Sequence, residues 1–557
     1  MCRLDILEGT QFVMNYASCE TYLSKHLVMA LFILIALTAA VYSGSLRNGF
    51  VWDDHDVVEN YPLNSNINNL PKLFALTDNI SYWPKKVPYY RPLARAIYVV
   101  DRQLFGLDAW CYHAENLVLH LANVLLLFLV ARSLFLEILP SLFAASIFAI
   151  HPGISEPVFA VFARNSLLSL FFIMATLLTF RRGLETKQWR WFLSSAALFF
   201  LGLLSKESTI MVMPLIGWFM YAERKSLKFV VRGLVPLLAV LIIYWFLRNS
   251  ALVSENIPGL PLNNLTSIFT TNMYIVPRYL LLVAWPAKLT NWHEIPANLH
   301  GLTPFLVSIW IVVAAGTVVV IRFGGTAMKF GLLWGVCLLI PVLGIWPVPG
   351  APMAERHLYG PFAGFSIMAA ALGLVMLRKR LVAGGIIICI MFALLAVRTT
   401  YRSNDWFNDI SLFAAATKVN PDSVNAHYNL GDAYEKAGNM NAALYEYLMV
   451  IQLSPNDIDA LEKIGTYYFR AGRYEEALPY FERAVALHSD TFGFLNNLGS
   501  TYDMLNRKEE AIHHYELALQ AVPLDNLAEI ARLRGRIEFL RGEKTKKSWR
   551  VNDVEHR

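Results

Sequence analysis

Residues 27–398 of this 557-residue chain form a succession of apolar runs, and nothing in the sequence limits its fold more. A helix crossing a bilayer needs about 20 mostly apolar residues, because the hydrocarbon core is about 30 Å thick and each residue rises 1.5 Å. With 56% hydrophobic and 16% charged residues the chain is too apolar for a soluble protein of this length. Candidate spans fall at 27–46, 114–134, 137–151, 158–180, 189–205, 208–222, 229–248, 302–322, 327–346, 358–377 and 381–398. Residues 401–557 have the mixed charge of a soluble domain, so a boundary lies near 398–404.

Basic residues give the expected sidedness. Arg181, Arg182, Lys187 and Arg190 fall on the same side as Arg224, Lys225, Lys228 and Arg232 and as Arg378–Arg380, which marks that side as cytoplasmic. Residues 1–26 are then a cytoplasmic segment. The apolar stretch after them lacks a small-residue cleavage site and reads as an uncleaved first span. The opposite side receives loops 47–112, 151–157, 249–301 and 347–357 and everything after residue 398. Residues 268–286 carry Pro277-Arg278 in mid-segment, where a charge at membrane depth is expensive, and read as interfacial or re-entrant. The net charge of +6 is explained by these flanking groups, so no nucleic-acid partner is expected, and the five cysteines have neither paired nor metal-ligand spacing.

From Val424 the chain repeats every 34 residues. Leu430/Ile464/Leu498, Gly431/Gly465/Gly499, Tyr434/Tyr468/Tyr502, Ala443/Ala477/Ala511 and Tyr447/Phe481/Tyr515 stand in register. This is the tetratricopeptide pattern, in which small residues let paired helices approach and large ones fill the groove beside them. The repeats are 424–457, 458–491 and 492–525, within a domain of 404–543. Helices over about 406–419 and 526–541 cap the stack, and 544–557 is a polar tail. A solenoid of this kind offers a concave face to a protein or peptide; a rigid spacer or dimerisation module is the other reading.

Chemistry gathers in the loop after the first span, Asn48-Gly-Phe-Val-Trp-Asp-Asp-His-Asp56. Polar groups recur at the same membrane face: Arg91, His113, His151, Glu156, Arg164, Lys206, Glu207, Glu355, Arg356 and His357. Ionisable groups at the ends of several spans suggest one shared cavity, although a snorkelling anchor is an equal reading of Arg164 and Lys206.

Those residues belong to an ordered series of motifs: NGFVWDDHD, YYRPL at 89–93, CYHAENLVLHLAN at 111–123, HPGISEPV at 151–158, LLSKES at 203–208, AERHLYGP at 354–361 and NDWFNDISLF at 404–413. The series, followed by the repeats, resembles the transmembrane and tetratricopeptide-repeat-containing O-mannosyltransferases and their bacterial relatives, over nearly the whole chain after residue 45. The resemblance implies an all-α polytopic bundle of the GT-C type with eleven spans, a polyprenyl-phosphate sugar as donor, and extracytoplasmic repeats. It places the family's first-loop acidic pair on Asp53 and Asp54 and its late Ala-Glu-Arg motif on Ala354, Glu355 and Arg356. The chain departs from the pattern at Ser166, where relatives often carry an acid, and at Asn291-Trp292-His293, so sugar and acceptor stay open.

The expected chemistry is one inverting displacement. Asp53 takes the proton of the attacking hydroxyl, and Asp54, pointing to the opposite side of an extended loop, orients that loop, unless the two exchange roles. Arg356, backed by Arg91, Arg164 and Lys206, balances the departing phosphate. His55, His113, His151, Glu156, Glu207 and Glu355 support the cavity. No cofactor is expected and no metal cluster stands out, although Asp53, Asp54, Asp56 and Glu59 could hold a hard cation if brought together. The expected partners are the lipid-linked sugar, membrane lipid, and an acceptor protein or peptide on the repeats. A bacterial inner membrane with periplasmic repeats, or the endoplasmic reticulum with lumenal repeats, is the expected setting. Two competing classes are a transporter or flippase, which would show half-chain symmetry, and a non-catalytic scaffold, which would tolerate loss of Asp53.

Overall fold

The computed structural model describes residues 16–75, 89–222, 227–254, 265–295, 304–343, 353–379, 381–523 and 526–542. Arg224, Lys225, Arg380, residues 1–15 and the polar tail therefore lie outside the described residues. Every regular element among those described is helical, and the chain divides into two compact units, Met1–Leu412 and Phe413–Arg557.

In the first unit six helices are long and apolar enough to cross a membrane: Leu27–Arg47, Ala109–Phe135, Val161–Thr186, Val231–Ala251, Pro304–Phe323 and Val382–Asp405. Five shorter apolar helices accompany them, Ile138–Ile150, Trp189–Ser205, Ile268–Ala284, Thr326–Val342 and Tyr359–Val375. The chain is a multi-pass membrane protein. Burial separates an inner set from an outer one: 72% of the apolar window in Val161–Thr186 is buried, against 11% in Pro304–Phe323 and in Val382–Asp405. Outer helices that are apolar on every face make sense only with lipid around them.

Small residues bring inner helices together. A Cβ on Gly364 would lie 2.5 Å from the Gly331 carbonyl oxygen, and one on Gly331 would lie 2.6 Å from that of Gly364. The helices Thr326–Leu339 and Tyr359–Lys379 thus touch backbone to backbone, the approach by which membrane helices gain dispersion contact when no hydrophobic effect drives them.

One expected span changes form. Residues 208–222 begin with a 3₁₀ turn, Glu207–Met211, and continue as an 11-residue helix, Val212–Ala222, which at about 16 Å cannot cross a bilayer alone. The reason lies at its start, where Lys206 and Glu207 are drawn to polar partners and the chain turns to deliver them. The expected span at 158–180 starts late for a similar reason. Its first turn, Val161–Ala163, is bent to meet a carboxylate, and the helix proper is Arg164–Thr186. Residues 265–284 form one 20-residue helix with Pro277 inside.

The second unit holds the three hairpins: Val424–Lys436 with Met440–Leu453, Ile458–Arg470 with Tyr474–Leu487, and Phe492–Met504 with Lys508–Ala521. Leu527–Arg541 follows. A Cβ on Gly431, Gly465 or Gly499 would lie 2.7, 2.7 and 2.9 Å from the ring of Tyr447, Phe481 and Tyr515. Each glycine is thus the floor on which the aromatic of the second helix rests. Asp457 and Ser423 cap their helices through the amides of Ala460 and Ala426, at 3.0 and 3.1 Å. A further periodic position appears at the turn inside each hairpin. Gly438, Gly472 and Asn506 all have left-handed backbone, φ +78°, +73° and +59°, which glycine and asparagine tolerate best.

Candidate functional site

The loop after the first span is fixed by one of its own acids. Asp54 is fully buried; its Oδ1 accepts from the Phe162 amide at 2.6 Å and its Oδ2 from the Val51 amide at 3.2 Å. Burial raises its pKa to about 7 while the amides pull it down. A carboxylate so occupied is an anchor between the loop and the turn at 161–163. Asp53, its half-buried neighbour, is left to face the site. Burial raises the Asp53 pKa to about 6; Arg356 opposes this, and Asp56 and Glu156 add to it. The alternation expected of an extended loop is not what parts the two acids: both lie in helical backbone, Asp54 at φ −62° and ψ −35°, and Asp54 is set apart by its two amide bonds.

Trp52, just before them, has φ +53°. Such backbone on a bulky residue costs about 1–3 kcal/mol and persists only where its surroundings impose it. Here they do. The Trp52 amide donates to Asp409 Oδ1 at 2.8 Å. Its ring packs edge-on against Phe162 at 5.4 Å and Trp292 at 6.3 Å, with the Arg356 guanidinium 5.5 Å from its centre. His55 then opens a π-helical turn, His55–Glu59, with Nε2 2.8 Å from Asp409 Oδ2 and Nδ1 against Glu59. The bond to Asp409 raises its pKa to about 9, burial opposes, and the bond to Glu59 adds to the rise.

The cations stand across from the loop. Arg356 is half-buried, and both its Nη1 and its backbone amide donate to the fully buried Glu156, at 2.7 and 2.6 Å. Arg91 makes a forked bond to Glu207, the shortest arm 2.9 Å, and stacks 4.1 Å over Tyr89. Lys206 donates to Ser166 Oγ at 2.9 Å; burial lowers its pKa to about 7, and the charge of Arg91 lowers it further. Arg356 and Glu156 also act on Lys206, and Arg356, Lys206 and Arg91 together hold His357 below its usual range, after burial. Asp53, Glu156, Arg91, Lys206, Glu207, Arg356 and His357 are thus one electrostatic group, carried by loops and helix ends from five places in the chain. Ser166, a departure from the family pattern, is where Lys206 is held.

Other sequence candidates have structural partners. Arg164 is 1% exposed: it donates to Asn116 Oδ1 at 2.7 Å and the Tyr112 carbonyl at 3.0 Å, and pairs with Asp101 and Glu115. Every arm of its guanidinium is engaged inside the fold, which is the geometry of a structural ion cluster and leaves no face for a phosphate. His113 holds the Gly49 carbonyl at 3.2 Å, and His151 holds that of Val283 at 3.1 Å. Glu355, fully buried, takes the Thr290 amide at 2.5 Å and Arg402 at 3.1 Å, so it fixes the strand of chain leading to Arg356. Asp409, Trp52 and Arg402 carry none of the expected roles. Their signal was present, since NDWFNDISLF contains Asp409, but only the fold brings it to residue 52.

Asp54 and Glu59 are taken up by amides and His55, so the four first-loop acids do not converge. Among the described residues no three or more His, Cys, Asp or Glu side chains are grouped to hold a metal ion.

Fold and site together define a polytopic membrane protein that carries a charged cluster on loops and helix ends and a tetratricopeptide solenoid. A family model described as dolichyl-phosphate-mannose-protein mannosyltransferase matches residues 88–247, and a tetratricopeptide-repeat model matches 422–490 and 456–523. A protein O-mannosyl-transferase of Caenorhabditis elegans is 26% identical over 449 residues, 76% of this chain and 62% of that protein. One of Mus musculus is 26% identical over 469 residues, 75% of this chain and 50% of that protein. The chain therefore spans between half and two thirds of the length of these curated relatives. A solved structure of ArnT from Cupriavidus metallidurans, bound to undecaprenyl phosphate, is 13% identical, covers 88% of this chain and 80% of its own, and has a TM-score of 0.35. In its apolar part and in its repeats the chain is similar to the transmembrane and tetratricopeptide-repeat-containing O-mannosyltransferases.

Proposed function

We propose that this chain is an inverting membrane glycosyltransferase. It moves a hexose such as mannose from a polyprenyl-phosphate donor to a hydroxyl of an extracytoplasmic acceptor, a protein serine or threonine. One observation carries the reading: Asp53, half-buried and with its pKa raised to about 6, lies within the field of Arg356 on loops outside the apolar helices. An acceptor O–H attacks the anomeric carbon, and its proton passes to Asp53. The bond from that carbon to the phosphate oxygen breaks, and the phosphate leaves with the electron pair. Arg356 receives its charge, with Arg91 and Lys206 as further cations. Glu156 and Glu207 hold two of these cations in place, and Asp54 holds the loop. Arg164, His113, His151 and Glu355 act by maintaining the fold around them. The repeats lie outside the cytoplasm and bind the acceptor chain.

The test is Asp53→Asn in the full chain, assayed with polyprenyl-phosphate mannose and a serine/threonine-rich peptide. Loss of a general base lowers the rate about 10²- to 10⁴-fold, with donor affinity unchanged. Transfer at the wild-type rate would place the chemistry elsewhere.

A further inference from the structure

Asp409 begins the helix Asp409–Val419, 357 residues after Trp52. Its two carboxylate oxygens grip the loop at both sides of the acid pair: Oδ1 takes the Trp52 amide and Oδ2 faces His55 Nε2, both at 2.8 Å. Asp53 lies between these two contacts, and Asp54 is pinned on the other side by the Phe162 amide. The residue gripped is also the one with φ +53°, so the left-handed turn that precedes Asp53 is maintained by a carboxylate from a distant helix. Phe407, two residues earlier, adds to the same clasp by accepting the Gly49 amide at 3.0 Å.

We propose that Asp409, acting through Trp52 and His55, is a positioning residue that fixes where the Asp53 carboxylate points; this rests on the reading of Asp53 as the general base. His55 is the second half of the device. Each ring nitrogen meets a carboxylate, Nε2 that of Asp409 and Nδ1 that of Glu59. A neutral imidazole has one N–H donor, so both contacts are made only by the imidazolium. Asp54 is a further acid acting on it, and His55 is raised to about 9. Deprotonation therefore breaks one of the two contacts, and the grip on the loop loosens as pH rises through that value.

Four full-length variants test this: Asp409→Ala, Asp409→Asn, His55→Gln and Asp53→Asn. Asp409→Ala is expected to lower kcat about 10- to 100-fold, the cost of displacing a reacting group by about 1 Å, with KM for polyprenyl-phosphate mannose within about twofold. Deuterium uptake of the peptide 50–57 rises in the same variant. Asp409→Asn keeps an acceptor for the Trp52 amide and regains part of the rate. Wild-type kcat falls above about pH 9, and His55→Gln loses that alkaline limb. Wild-type kcat in Asp409→Ala, a parallel loss of donor affinity, or unchanged uptake over 50–57 overturns the proposal. If Asp409→Ala does not fold, an alkaline limb that survives in His55→Gln overturns it. An inactive Asp53→Asn beside a normal Asp409→Ala sinks the positioning role alone. A fully active Asp53→Asn sinks the site reading and this role with it, whatever the uptake of 50–57.

Discussion

The acid limb of the pH–rate profile ties Asp53 to Arg356. A base that must be ionised and titrates at about 6 is about nine-tenths ionised at pH 7 and about one-tenth at pH 5, so kcat/KM falls about tenfold between them. The sign follows from the chemistry: protonation at low pH removes the lone pair that accepts the hydroxyl proton. The proposed donor, a phosphodiester, does not titrate in this window, which leaves the limb to the protein. Arg356 favours the ionised form of Asp53, so Arg356→Gln moves the limb to higher pH. The same variant loses a charge-assisted bond worth about 1.5–3 kcal/mol, a weakening of donor binding of about ten- to a hundredfold. Arg356→Lys keeps the charge and holds the limb near its wild-type position while losing the fork. Stopped assays from pH 4.5 to 8 with the donor concentration varied at each pH separate the two effects. A limb that stays put in Arg356→Gln, or persists in the residual activity of Asp53→Asn, refutes the coupling.

Other perturbations report on other parts. Asp54→Ala strands the Phe162 and Val51 amides, costs about 1–3 kcal/mol in a thermal melt, and lowers the rate per folded molecule less than Asp53→Asn does. Arg164→Ala leaves Asp101 buried without its partner and costs about 3–5 kcal/mol, seen as lost yield and melting temperature; a folded variant deficient only in donor binding would return Arg164 to the phosphate. Gly465→Ala puts a methyl 2.7 Å from the Phe481 ring and costs about 1–3 kcal/mol, read as an earlier melt of the repeats, with donor binding by the full chain unchanged. A reporter active only outside the cytoplasm is active after Lys418 and silent after Arg182, and the reverse pattern would place the site on the other side.

The repeats were legible because each periodic residue meets one from its own hairpin: Gly465 and Phe481 are 16 positions apart and touch. The acidic pair was visible as a motif, but not the backbone that carries it: where an extended loop was expected, Asp53 and Asp54 lie in a helical turn, and the amides of Phe162 and Val51 set Asp54 apart. Arg164 was not. An arginine at a span's end reads as a free cation until the fold supplies Asp101 from 63 residues upstream. The short helix at 212–222 had the composition of a span but not the length, because its first turn serves Lys206 and Glu207. Local pattern carries short-range contacts and conveys nothing about the separation of Trp52 from Asp409.

Two of the apolar helices that end at the site are short. Ile138–Ile150 has 13 residues and leads through His151 to Glu156, and Trp189–Ser205 has 17 and leads to Lys206. Their rises, about 20 and 25 Å, fall about 10 and 5 Å below the usual hydrocarbon thickness. A membrane meets such a deficit by thinning locally, at a cost of fractions of a kcal/mol per ångström. On the proposed topology Glu156 and Lys206 would sit at the floor of such a dimple, where the phosphate of the proposed lipid donor need rise only a little from its own leaflet to reach Arg356. Acyl-chain length then becomes a variable of the reaction, and lengthening the lipids of a reconstituted bilayer draws donor and site apart without altering a single side chain.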